Sequence, residues 1–125
     1  MHALHRCSSC AEIKPRSAFH NNKSMNQGRH WSCKECRYWT EVKRKYGVDK
    51  KWFDMTLAEQ GGACAICYTA SPATHAGKGA AWHIDHDHVT GVVRGILCHH
   101  CNTALGGFKD DVDSLQRAID YLRKI

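Results

Sequence analysis

Four Cys-x-x-Cys pairs, Cys7/Cys10, Cys33/Cys36, Cys64/Cys67 and Cys98/Cys101, take up all eight cysteines of this 125-residue chain. Two thiolates at that spacing reach one side of a tetrahedral metal, so two pairs close a four-cysteine zinc site that leaves no position for water. The spacing therefore predicts two small modules, each stapled by its own Zn2+, because neither half is long enough to rely on a large apolar core. The predicted boundaries are 1–45 for an N-terminal zinc-binding module and 46–125 for a second domain. A disulfide framework is the alternative, and it belongs to oxidising compartments. The N-terminus lacks the apolar stretch of a signal peptide, and no segment approaches membrane-spanning length, so the expectation is a soluble, cytoplasmic protein.

Charge is unevenly spread. Residues 1–52 hold 12 Lys and Arg against 4 Asp and Glu, a net of +8, whereas residues 53–125 hold 6 against 8, a net of −2. A basic half beside a near-neutral half points to a polyanionic partner docking on the first. Lys43, Arg44, Lys45, Lys50 and Lys51 cluster with Trp39, Tyr46 and Trp52, which favours nucleic acid over a merely solvated basic face.

Local patterning fills in the elements. Cys7 to Cys10 reads as a knuckle, Pro15 to Phe19 as an extended approach with Phe19 plugging a core, and 21–29 as a loop. A helix is predicted from the Cys33/Cys36 pair to about Tyr46, stopped by Gly47, and a second from Lys50 to Gln60 with Asp49 as N-cap. Trp52, Phe53, Thr56, Leu57 and Gln60 keep helical spacing and read as core. Residues 68–80 read as a loop carrying His75. Ala81 to Asp85 and Val92 to Leu97 are predicted strands joined by a turn over 86–91. Cys98 then opens a helix, and Asp110 or Asp111 caps a last one whose apolar stripe is Val112, Leu115, Ile119 and Leu122.

Both four-cysteine sites are closed, so chemistry has to sit in the run His83-Ile84-Asp85-His86-Asp87-His88 between the last two pairs. A hairpin followed by a helix, with a histidine ending the first strand and an amide on the helix, can cut a phosphodiester. The reaction needs a base for water and a hard cation for the phosphate and the departing 3′ oxygen. Asp85 and Asn102 offer oxygen ligands suited to Mg2+ or Mn2+, and His86 is the natural base. Asp87 reads as a turn carboxylate or a partner that fixes a histidine. His99 and His100 read as surface residues of the knuckle.

The residues also carry a resemblance. Cys64-Ala-Ile-Cys67, His83 to His88, Gly91-Val-Val-Arg-Gly-Ile-Leu-Cys98 and Cys101-Asn102 followed by Ala104-Leu105-Gly106 are similar to the recombination endonuclease VII family of tailed phages. That family lies within the His-Asn-His (HNH) nucleases of ββα-metal fold. Tyr46-Gly47-Val48, Glu59-Gln60-Gly61-Gly62 and Phe108-Lys109-Asp110-Asp111 extend the likeness over about residues 46–124. It implies an α+β fold: a zinc-stabilised ββα-metal core with flanking helices, preceded by the other four-cysteine module. Asp85 and Asn102 would hold the catalytic cation, His86 would be the general base, and His88 and His83 would assist at the scissile phosphate or orient neighbours. Cys64, Cys67, Cys98 and Cys101 would hold the structural zinc, and Arg94 would contact a phosphate. Cys7, Cys10, Cys33 and Cys36 would form the lead module, a looser likeness resting on those cysteines, Phe19 and Gly28-Arg29.

The implied function is a metal-dependent DNA endonuclease acting at branched DNA such as Holliday junctions, in the host bacterial cytoplasm if phage-encoded. Resolving enzymes of the family dimerise through long helices, so a homodimer is the matching expectation. This chain departs from that pattern, with a second zinc module ahead and only a short helix behind. The alternatives are a nicking or site-directed phage endonuclease of HNH type, and a non-catalytic zinc-finger DNA-binding adaptor.

Overall fold

The computed structural model describes residues 4–25, 28–72 and 81–124. His75, in the predicted loop, lies outside the described residues. The chain divides into two compact units that meet between Lys50 and Lys51.

The first unit begins with strands β1 (Leu4–Arg6) and β2 (Ile13–Pro15), paired antiparallel with Leu4 opposite Pro15. Between them the Cys7–Cys10 knuckle closes when the Ala11 N–H donates to the Cys7 carbonyl at 2.9 Å. Pro15 does not start an extended approach as the sequence suggested. It ends β2, and Arg16–Ala18 makes a single 3-10 turn before β3 (Phe19–Asn21). β3 pairs with β4 (Arg29–Cys33), and helix α1 (Lys34–Tyr46) follows directly. Phe19 is fully buried against Cys7 and Cys33, the core plug its position predicted. α1 stops at Gly47, whose φ of 74° lies in the left-handed region that residues with a Cβ avoid.

The second unit contains most of α2 (Lys50–Glu59), then strands β5 (His83–His86) and β6 (Val93–Leu97), α3 (His99–Gly107) and α4 (Val112–Arg123). The face of α2 bearing Trp52, Phe53, Thr56, Leu57 and Gln60 is half-buried, as its spacing predicted. Its core is Cys64, Leu97 and Cys98, with Trp82, Cys101 and Leu105 packed against them, and Ile96 is fully buried. Asp111 caps α4 by accepting the Ser114 N–H at 3.2 Å and its hydroxyl at 2.6 Å. The α4 stripe is less covered than a core helix requires. Leu115 is half-buried, whereas Val112 and Leu122 are 74% and 79% exposed. Periodicity reports which face is apolar, not whether anything covers it.

One construction serves both units. Each first cysteine pair is a knuckle followed by a left-handed residue, Ala11 at φ 65° and Tyr68 at φ 63°. Each second pair starts a helix, with Cys33 capping α1 and Cys98 capping α3 through sulfurs that accept the Cys36 and Cys101 N–H groups at 3.5 Å. A short strand therefore delivers one sulfur, and the first turn of a helix delivers the other. The fold is α+β, a small architecture built on two four-cysteine clusters, with a strand, strand, helix run in its second unit. No helix among the described residues is long and apolar enough to cross a membrane.

Candidate active site and metal centres

Each set of four cysteines converges, with Cys7, Cys10, Cys33 and Cys36 in one cluster and Cys64, Cys67, Cys98 and Cys101 in the other, all sulfurs of a set lying within 4.8 Å of one another. A tetrahedron with zinc–sulfur bonds of about 2.3 Å has sulfur–sulfur edges of about 3.8 Å. Cys7 and Cys36 stand 3.8 Å apart, and Cys67 and Cys98 3.7 Å. A disulfide would need about 2.05 Å, and all eight thiols are free.

Electrostatics agree with a cation at each centre. Burial pushes the Cys7 and Cys64 thiols up, but backbone N–H donors outweigh it and bring each down to about 6. Burial and the neighbouring thiols drive Cys36 and Cys101 well above their ordinary range. Four crowded sulfurs cannot all ionise unaided, and a dication resolves that conflict. At the first cluster Lys14 adds a positive charge, its Nζ lying 3.2 Å from the Cys33 sulfur. Lys14 went unnoticed in the sequence because a lone lysine between cysteines carries no motif.

The second cluster positions the candidate active site. α3 follows its cap Cys98, the residue after β6, and packs against both strands of the hairpin. Asn102 follows Cys101 on α3 and is half-buried. The strand pairing runs His83 opposite Leu97, Ile84 opposite Ile96 and Asp85 opposite Gly95, and then shifts so that His86 faces Val93. Arg94 is thus the extra residue of a β-bulge beside Asp85 and His86. Such bulges re-aim side chains and end pairing, and β5 does end at His86. The turn beyond it is tied by Asp87, whose carboxylate accepts the Val89 and Thr90 N–H groups at 2.8 and 3.0 Å. Those two donors, with Thr90 the larger contributor, hold Asp87 below its ordinary pKa. Asp87 is therefore the turn carboxylate of the two roles considered.

The histidines fall into two pairs. His86 and His88 approach edge to face, with ring centroids 4.7 Å apart. His83 instead reaches His99 at the start of α3, Nε2 to Nδ1 at 3.3 Å. His99 is half-buried and links strand to helix, a role its place next to a cysteine did not advertise, while His100 is exposed.

Asp85 and Arg94 make the tightest contact of the site. The Arg94 Nε donates to Asp85 Oδ2 at 2.7 Å and its Nη2 to Oδ1 at 3.0 Å. Nη2 also reaches Asp110 Oδ2 at 3.2 Å. The Asp85 hydrogen bond, ahead of that to Asp110, raises Arg94 above its already high pKa. Arg94 was expected at a phosphate, and here two carboxylates engage it. The Asp85 carboxylate, 12% exposed, is already matched to a cation. Its hard oxygens and the Asn102 amide suit a hard divalent ion.

Gln60 is a structural residue that sequence reasoning assigned only to a helix face. Its amide imitates a neighbouring strand: Oε1 accepts the Ile96 N–H at 3.0 Å, while Nε2 donates to the Ile96 carbonyl at 3.0 Å and the Ala63 carbonyl at 2.8 Å. A Cβ on Gly95 would stand 3.1 Å from Gln60 Oε1, so glycine permits that approach.

Among the basic residues, Lys43, Arg44 and Lys45 lie exposed on the last turns of α1, and Lys50 and Lys51 at the start of α2. Arg44 is engaged by Glu41 through both guanidinium nitrogens facing it.

Known proteins resemble this sequence in part. The Gene 59 protein of Mycobacterium phage D29 is 39% identical over 113 residues, 88% of this chain and 61% of its own length. The Gene 59 protein of Mycobacterium phage L5 is 39% identical over 84 residues, 66% of this chain and 48% of its own. The chain thus spans about half to three-fifths of the relatives it matches. The crystal structure of the beta-beta-alpha-Me type II restriction endonuclease Hpy99I aligns over 96% of this chain and 65% of its own, with 32% identity and a TM-score of 0.43. A family model described as recombination endonuclease VII matches residues 37–124, about seven-tenths of the sequence, and the chain belongs to that family.

Proposed function

We propose that the chain is a metal-dependent DNA endonuclease that hydrolyses phosphodiester bonds to leave 5′-phosphate and 3′-hydroxyl ends. Its proposed substrate is branched DNA such as Holliday junctions. One observation carries the reading: β5 ends on His86 directly after the cation-matched carboxylate of Asp85, and α3, which bears Asn102, is packed on the same hairpin.

In this reading Asp85 and Asn102 hold Mg2+ or Mn2+, which when bound neutralises charge on the phosphate and the departing 3′ oxygen. His86 accepts the proton of the attacking water at a ring nitrogen. His88, edge-on to His86 at 4.7 Å, orients that ring. His83 acts at one remove, tying β5 to α3 through His99. The two four-cysteine clusters hold Zn2+ and do no chemistry. Lys43, Arg44, Lys45, Lys50 and Lys51 supply the sequence-independent grip on the backbone, and Arg94 stands beside the reacting phosphate. The exposed apolar side chains of α4, Val112 and Leu122 above all, support pairing with a second copy.

The test is cleavage of a synthetic four-way junction against a linear duplex of the same sequence, with Mg2+ or Mn2+, alongside a size measurement in solution. Preferential cutting of the junction supports a junction-resolving nuclease. Equal cutting of both assigns the chain to the nicking or site-directed class. No cutting of either, with DNA still bound, leaves a zinc-dependent DNA-binding adaptor.

A further inference from the structure

The N-terminal unit has a concavity that the nuclease chemistry leaves unused. It measures about 720 Å3, and its walls include His20 from β3, His30 from β4, and Lys34, Arg37, Tyr38 and Glu41 from α1. The α1 residues recur at the three- and four-residue steps that place side chains on one helix face. The one carboxylate in that set, Glu41, is occupied by Arg44. Lys34 and Arg37 are exposed and enter no ion pair among the described residues. His30 is pre-set: its Nδ1 accepts the Ser32 N–H at 3.0 Å, which fixes the ring and leaves Nε2 as its donor. Tyr38 is 52% exposed and buttressed edge-on by Trp39, with ring centroids 4.9 Å apart.

The geometry points to a binding site for unpaired DNA nucleotides, with Lys34 and Arg37 on the phosphates, His30 donating to a backbone oxygen and a base stacked on Tyr38. A basic groove with flat rings in its wall is how proteins hold single strands, because every base has a face to stack. A duplex keeps its bases stacked on each other and would use only the cations. An acidic peptide would likewise leave the rings idle. The site draws on the proposed nuclease reading only for the choice of DNA. It is tested by binding without cleavage, so failure of one does not imply failure of the other.

The experiment is fluorescence anisotropy on the full zinc-loaded chain, without added divalent cation, using a labelled oligothymidylate and a labelled duplex. Tyr38→Ala should weaken oligothymidylate binding roughly tenfold while leaving duplex affinity within about twofold. Lys34→Ala with Arg37→Ala should weaken both and lower the single-strand salt slope by about 1 to 2. Tyr38→Phe should bind like the parent. Zinc content of two per chain verifies the fold; if Tyr38→Ala loses zinc, Tyr38→Leu replaces it with the same expectations. No change on oligothymidylate, an equal loss on duplex, or tighter binding of oligouridylate or an acidic peptide would overturn the assignment.

Discussion

Arg94 grips both oxygens of Asp85 in a two-pronged fork, at 2.7 and 3.0 Å, while its Nη2 also reaches Asp110. The carboxylate proposed for the catalytic ion therefore holds a cation of its own, and a divalent ion has to compete with it. Arg94→Ala should tighten Mn2+ binding a few-fold, the scale of a partly exposed ion pair of up to about 1 kcal/mol. Titration followed by Mn2+ electron paramagnetic resonance without DNA reads this directly. Unchanged or weaker binding would show that the fork positions Asp85 rather than competing for it.

His86→Ala should lower junction cleavage by a factor of about 100 or more, as expected for loss of a general base. DNA affinity and zinc content should stay near those of the parent chain. Cleavage persisting at the parental rate would remove His86 from the chemistry.

Gln60→Leu should destabilise the second unit by about 1 to 3 kcal/mol, because the N–H of fully buried Ile96 loses its acceptor. The Ile96 carbonyl keeps a partner in the Ala65 N–H at 3.2 Å, which holds the cost within that range. Denaturant unfolding of the zinc-loaded protein provides the measurement.

Replacing Cys64 by serine should halve the bound metal, from two zinc ions per chain to one, and unfold the second unit. The buried core there is built on Cys64, Leu97 and Cys98, so a metal held by those sulfurs would be part of it. Colorimetric zinc release paired with circular dichroism would register both effects.

Acid should fray α4 from its start. Hydrogen bonds from the Ser114 hydroxyl, then from backbone N–H groups, hold Asp111 below its ordinary pKa of 3.8. A depressed pKa means that the fold favours the ionised carboxylate. The cap is therefore fully effective above 3.8 and is lost as pH falls through the lower folded value. The protection of the Ser114 amide relative to its intrinsic exchange rate should fall across that window, and in Asp111→Ala it should already be low at neutral pH.

The cysteine spacing announced two four-sulfur clusters, and the helices after Cys33 and Cys98 followed from the geometry that each cluster imposes. Gly47 and Asp111 marked helix ends through local backbone chemistry, which a sequence records directly. The sequence could not show that Arg94 forks Asp85, that His83 pairs with His99, or that Gln60 stands in for a strand beside Ile96. Each of those contacts joins residues 9 to 36 positions apart through a strand register or a bulge, and a one-residue slip would have broken them. Nor could it show how little of the α4 stripe is covered, because an apolar stripe is written in the chain while its cover is supplied by packing. Metal-ligand spacing and caps act over a few residues and are legible; the alignment of side chains across a hairpin is decided only when the chain folds.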